Sequence, residues 1–510
     1  MTIAAVENRK LAESLGVVLP RRGVLEACSE TGVYDADAFT LVRRRPDLVV
    51  FPENTAQLAH TLRRLADLDA VVVTRGSGTG LAGGATPLGH ATTPADTGAP
   101  DRPPNRPPER PTVLVCTSRM RTIHHIDLPG RWAHVDAGVL NQTLSDEVAL
   151  RAEQTGWAGP PLHFAPDPSS ARASTLGGNA ATNAGGVHTL KDFVTSNHVL
   201  GVTFVTARGD VVTTGGRNGC VATGPFDLTA LMCGSEGTLG VIAELVVRLT
   251  PKRSGWRTLL ALFDQPRRAG EAVSGVIAAG ILPAALEMLD GTMVRVIEDA
   301  YHFGIPSATQ AMLVAELDGE DALLDAELEQ VRQIMARCGA SEVRVAATAD
   351  DRAKLWKARK SAFGAIGKVS HSYCTQDACV PRSRLADMLE IIHRVGEKHG
   401  IVISNVFHAG DGNVHPIFLY DDRDDAQVRR ALSACAEVLE AAIALGGTIT
   451  GEHGVGIEKV GLMPRLFGPA ALDAFAAVKD AFDPEHRLNP GKLLPDPAHD
   501  YAVIRSAPRP

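Results

Sequence analysis

The chain has 510 residues, 45% of them apolar and 22% charged, with a formal net charge of −8. That is enough chain for two or three domains with large cores, in the composition range of ordinary globular proteins. The acidic balance and the lack of basic runs give a nucleic-acid groove no footing, and no stretch has the roughly 18 consecutive apolar residues of a membrane-spanning helix.

Residues 1–46 read as a polar, helical leading arm without the charged-then-apolar pattern of an export leader. A first domain is expected over 47–252. It opens with a short apolar strand, an amphipathic helix capped at Asn54/Thr55, and a second strand over 70–74. Residues 92–111, TTPADTGAPDRPPNRPPERP, are proline-rich and poor in large apolar groups, which predicts a mobile surface insertion. Short strands then alternate with glycine-rich turns as far as Pro251. A second, α+β domain is expected over 253–470, with strands at TLLALF and AMLVAEL and a long helix over 321–338. Residues 471–510 read as a segment returning to the first domain. The eight cysteines are scattered without a CxxC pair, which excludes the usual iron–sulfur spacings and predicts reduced thiols in a cytoplasmic protein. An iron–sulfur electron carrier, if one is used, belongs to another chain.

Three stretches of the first domain are dense in small residues. The strand at 70–74 runs into RGSGTGLAGG, where Arg75, Gly76, Ser77, Gly78, Thr79 and Gly80 can turn successive N–H groups toward an anion, followed by Gly83 and Gly84. Leu81 stands where a Rossmann loop needs glycine, and no Walker lysine follows. The second stretch is APDPSS with TLGGNAATNAGG, and the third is CGSEGTLGVI. A flat, bulky ligand could lie against such backbone.

Together with the terminal LNPGK, these stretches resemble the PCMH-type FAD-binding domain of the vanillyl-alcohol oxidase superfamily. The downstream half is similar to the FAD-linked oxidase C-terminal domain, in the subgroup of glycolate oxidase flavin subunits and D-lactate dehydrogenases. The resemblance implies an α+β fold: a PCMH-type FAD-binding domain plus a cap domain with an antiparallel sheet covered by helices. It implies that Arg75–Gly80 cradle the FAD pyrophosphate. Pro166, Asp167, Gly177, Gly178, Asn183, Ala184, Gly185 and Gly186 would line the flavin side. Glu236, Gly237, Gly240, Val241 and Ile242 would hold the ribityl and adenosine parts, and Asn489 would approach the isoalloxazine. Residues 75–84 contain no histidine for a covalent link, so non-covalent FAD is expected.

NVFHAGDGNVHP poses the chemical question. If Asp411-Gly412 form a two-residue type I′ turn, His408 and His415 stand directly opposite, with Cβ atoms roughly 5 Å apart. In GGTITGEHGVGIEK, Glu452 offers a carboxylate and His453 a base. Two imidazoles and a carboxylate suit Zn²⁺, Mn²⁺ or Fe²⁺, and the resemblance implies that His408, His415 and Glu452 bind such a metal. A bound cation would acidify the hydroxyl of a 2-hydroxy acid, His453 would take its proton, and hydride would pass to the flavin. Arg359 falls where the resemblance implies a carboxylate anchor. Thr375 stands where relatives acting on diacids carry lysine, which favours a short monocarboxylate such as glycolate or D-lactate. The expected partners are that substrate and an iron–sulfur or electron-transfer subunit, through which peripheral membrane attachment stays open. The competing readings are a flavin subunit that only relays electrons, and a metal-independent flavin oxidase.

Overall fold

A computed structural model describes residues 3–20, 22–26, 28–88, 110–216 and 225–495. The proline-rich insertion lies almost wholly outside these residues. The chain divides into two compact units. The first comprises residues up to Ala184, Val194–Lys252 and the chain from Glu452 onward; the second comprises Gly185–Phe193 and Arg253–Gly451.

In the first unit, Leu48–Val50, Thr112–Cys116 and Val71–Arg75 form a parallel sheet, extended by the antiparallel strand Val24–Leu25. The helix Thr55–Asp67 covers it. Asn54 caps that helix as expected, its side chain accepting from the Gln57 N–H. A second, five-stranded sheet is antiparallel, with Val241–Arg248 at its centre between Trp132–Asp136 and Val199–Val205. Its alternating side chains bury Ala133, Val135, Leu245 and Val247 on one face. The leading segment is not a detached arm. Leu11, Leu15 and Leu19, on and just beyond the helix Ile3–Gly16, are buried in the core of the parallel sheet. Their spacing makes one apolar stripe, which a polar average over the segment conceals.

The second unit is an antiparallel sheet whose central strands are Gly255–Phe263, Ala311–Gly319, Ala285–Asp290 and Val402–His408. The helices Pro266–Ala278, Gly291–Tyr301, Asp321–Arg337, Leu385–His399 and Asp425–Ala444 accompany it. This is the expected α+β arrangement. The expected domain boundary at residue 470 does not coincide with the division between units, which falls between Gly451 and Glu452. Beyond that point the backbone is held by the first unit: Glu236 accepts the N–H groups of Val455 and Gly456, and Ala82 accepts that of Ile457.

Candidate active site

The strand Val71–Arg75 delivers the first glycine loop to a pocket of the first unit. Arg75, Gly76, Ser77, Gly78, Thr79, Gly80 and Gly84 line it, with Gly177, Gly178, Ala184, Glu236, Gly237, Gly240, Val241 and Ile242. A Cβ on Gly76 would lie 2.3 Å from Thr175 Oγ1, and one on Gly237 would lie 2.1 Å from Thr74 Oγ1. The loops therefore meet at distances only glycine permits. Such a backbone-walled cradle fits a flat dinucleotide. Gly78 has φ +75°, and a Cβ there would sit 2.1 Å from the Arg75 guanidinium. That guanidinium is itself held by the Ala36 carbonyl at 2.7 Å and lies 5.6 Å from the Tyr34 ring centroid. Gly78→Ala is therefore expected to weaken FAD binding roughly ten- to a hundredfold, from about 1–3 kcal/mol of backbone strain plus displacement of Arg75. Titration of the apoprotein with FAD, followed by flavin fluorescence, measures it; an unchanged affinity would remove the loop from the binding site.

Other expected residues stand outside the lining. Asn489, at φ +43°, is a staple: Nδ2 donates to the Glu236 carbonyl at 2.6 Å and Oδ1 accepts from Thr74 N–H at 3.3 Å. Asn183, at φ +52°, closes the helix Leu176–Thr182 and takes the Ser196 N–H on Oδ1. The Pro166 carbonyl accepts from Asn141, and Gly83 packs on Ile457 and Phe39. Asp167 also falls outside the lining, and Gly185 and Gly186 belong to the second unit. Residues missed by sequence include Asp37, Ser169, Ser170 and Asn179 on the lining. The serines sit inside APDPSS, but Asp37 has no local signal.

Glu236 does more than line the cavity. Its buried carboxylate takes the Val455 N–H at 2.7 Å and the Gly456 N–H at 2.8 Å. Burial pushes its pKa up, and those two N–H groups with Lys459 and Lys492 partly counter it. It thereby fixes the turn carrying Glu452 and His453, which border the same pocket and lie 3.7 Å apart, Oε1 to Nε2. Lys492, buried behind the lining, donates to the Gly84 carbonyl at 2.7 Å; burial lowers its pKa to about 7 against the pull of Asp37 and Glu236.

In the second unit, His408 does not pair with His415. It pairs with Asn413, across the four-residue turn 409–412, and His415 falls in a break before the strand Pro416–Tyr420. A type I′ turn needs positive φ at both central residues; Gly412 has φ +83°, whereas Asp411 is absent from the positive-φ set. Neighbouring segments hold the wider turn: Gly410 N–H donates to Leu286 O and Val380 N–H to Gly412 O. The rings nevertheless meet edge to face with centroids 5.1 Å apart. His415 Nδ1 lies 3.3 Å from the Gln376 carbonyl, which can only accept, so Nδ1 donates there and Nε2 is the ring nitrogen turned away from it. His408 Nδ1 lies 2.7 Å from Glu287 Oε1 and is oriented the same way. Two imidazoles set to present Nε2 fit a borderline divalent cation.

Glu287, absent from the sequence reading, is fully buried and also takes Arg359 Nε at 2.8 Å. Burial would raise its pKa, but His408 and Arg359 bring it below the ordinary value. Arg359, expected to anchor a substrate carboxylate, thus holds one of the protein's own. Asp377 takes Thr450 Oγ1–H at 2.6 Å and Gly451 N–H at 3.0 Å, which fixes the chain immediately before Glu452.

A family model of FAD linked oxidases, C-terminal domain, matches residues 254–493, and one of an FAD binding domain matches 105–215. The glycolate oxidase subunit GlcD of Escherichia coli K12 is 39% identical over 490 residues, covering 96% of this chain and 92% of its own. This chain belongs to the FAD-linked oxidases. Two further relatives of this FAD-linked oxidase are GlcD of Bacillus subtilis, 37% identical over 92% of this chain and 94% of its own, and a D-lactate dehydrogenase of Archaeoglobus fulgidus, 31% identical over 88% and 91%. Its fold is that of 4-ethylphenol oxidase from Gulosibacter chungangensis (TM-score 0.76, 17% identity, 97% and 98% coverage) and p-cresol methylhydroxylase (TM-score 0.74, 16% identity, 98% and 99% coverage). The PCMH-type architecture expected from the glycine-rich stretches is therefore the one observed.

Proposed function

We propose that this FAD-linked oxidase is a dehydrogenase that oxidises a short 2-hydroxy acid, glycolate or D-lactate, to the 2-oxo acid and passes the electrons to an acceptor other than NAD. The observation that carries this reading is the His408/His415 pair, whose ring centroids lie 5.1 Å apart with each Nδ1 turned to an oxygen of the protein. The names of the relatives, glycolate oxidase subunit and D-lactate dehydrogenase, support it.

In this reading His408, His415 and Glu452 hold a divalent cation, Zn²⁺, Mn²⁺ or Fe²⁺. Such a cation lowers the pKa of a bound hydroxyl, and non-covalent FAD supplies a two-electron acceptor. His453, on the pocket wall beside Glu452, takes the hydroxyl proton. Glu236 keeps that base in place through the Val455 and Gly456 N–H groups. Arg359 would meet the substrate carboxylate with the part of its guanidinium not turned to Glu287. Thr375, buried and uncharged, offers no cation for a second carboxylate, which favours a monocarboxylate. A partner subunit, iron–sulfur or electron-transferring, receives the electrons; the relatives' description as a subunit supports this. Among the described residues no helix is long and apolar enough to cross a membrane.

The test is anaerobic mixing of the FAD-loaded protein with glycolate, D-lactate, L-lactate and a 2-hydroxy diacid, following flavin absorbance with and without a chelator. Bleaching by a short monocarboxylate, lost on chelation and restored by Zn²⁺ or Mn²⁺, is expected. Bleaching that ignores chelation refutes the cation's part; no bleaching by any hydroxy acid refutes the reaction.

A further inference from the structure

One face of the five-stranded sheet carries a second convergence of imidazole and carboxylate groups, all within the first unit. Strand Trp132–Asp136 sends Ala133 and Val135 into the core, so His134 and Asp136 face the other way. The register of Ile123–Asp127 against that strand slips by one residue between Ile123 and His125. The extra residue of this bulge is His124, which turns to the His134 side; the two ring centroids are 4.6 Å apart. On the other neighbouring strand Glu244 stands opposite Asp136 and diagonal to His134, and its Oε2 lies 2.9 Å from His134 Nε2. One donor atom from each of His124, His134 and Glu244 lies within 4.8 Å of the other two.

We propose that His124, His134 and Glu244 form a binding site for a borderline divalent cation, of which Zn²⁺ is the probe, sharing no residue with the FAD pocket or the His408/His415 pair. Two nitrogens and one carboxylate oxygen are a zinc donor set, whereas Mg²⁺ and Ca²⁺ favour oxygen alone. A second tier orients two of the three donors. Asp136 Oδ1 lies 2.8 Å from His124 Nε2, which leaves Nδ1 of that ring for a cation, and Thr55 Oγ1–H is bonded to the Glu244 oxygen turned away from His134. The side chains are 36%, 32% and 20% exposed, so an ion has an entry path and water can complete a tetrahedron. The bulge holds both rings on one face before any ion arrives.

The experiment uses the untagged, FAD-loaded full chain, stripped with chelator and dialysed against micromolar Zn²⁺ in excess Mg²⁺. Zinc per FAD is then measured. The wild-type protein is expected to hold one equivalent more than His134→Ala and Glu244→Gln, and more than His124→Gln, whose exposed site makes misfolding the least concern. His408→Ala/His415→Ala protein is expected to keep the equivalent that His134→Ala loses. Equal zinc in the wild type and all three sheet variants, each with undiminished FAD and thermal midpoint, overturns the site and leaves the cluster an ion-pair clasp.

Discussion

Replacing His408 and His415 together with alanine is expected to lower turnover about a thousandfold while the protein keeps its FAD. The size follows from the task assigned to the pair. A Lewis-acid cation supplies several kcal/mol of stabilisation to a developing alkoxide, and a loss of about 4 kcal/mol is roughly a thousandfold at 1.36 kcal/mol per decade. FAD is retained because neither histidine lines the FAD pocket, whose walls all come from the first unit. Folding is spared in part, because alanine at both positions removes the donors but leaves the hairpin backbone bonds, such as Val406 N–H to His415 O, in place. Steady-state rates with an artificial acceptor dye, read beside flavin absorbance per protein, give both numbers. Turnover within threefold of wild type would end the metal-assisted mechanism, and parallel loss of FAD and turnover would make the pair structural.

The second large effect is expected at Glu287. Its carboxylate is fully buried between the Arg359 guanidinium at 2.8 Å and the His408 imidazole at 2.7 Å. Removing one member of a buried pair leaves a desolvated charge without compensation, at a cost of about 3–5 kcal/mol. Glu287→Ala is therefore expected to lower stability by about that amount, since the Arg359 guanidinium, with its side chain only 7% exposed, has little water to turn to. Glu287→Gln keeps the shape and one acceptor oxygen, so it can serve Arg359 or His408 but not both. It is expected to fold while weakening cation binding about ten- to a hundredfold, the usual range for losing the partner that orients a ligand imidazole. Urea unfolding measures the first and equilibrium dialysis with Zn²⁺ the second. A Glu287→Gln protein with wild-type zinc affinity would show that Glu287 serves packing alone.

These expectations separate what local sequence encodes from what only folding brings together. The glycine-walled cradle was legible because its requirement is local: Gly76, Gly78 and Gly237 must lack a Cβ where loops nearly touch, and no other residue type meets that need. The cap at Asn54 and the strand into Arg75 were legible for the same reason, as both are written within a few residues. The proximity of His408 and His415 was read correctly on a wrong register, because the turn between them is set by Leu286 and Val380 and not by Asp411-Gly412 alone. The α+β cap, the glycine-walled pocket and the small-residue loops were thus determined by the sequence itself. The pairing of Glu287 with His408 and Arg359, the clamp of Glu236 on Val455 and Gly456, and the approach of His124 to His134 and Glu244 were decided by tertiary structure. Most of those contacts join residues about 70 to 220 positions apart. A buried carboxylate finds its partner through strand order and burial, which leave no periodic trace in the neighbouring residues.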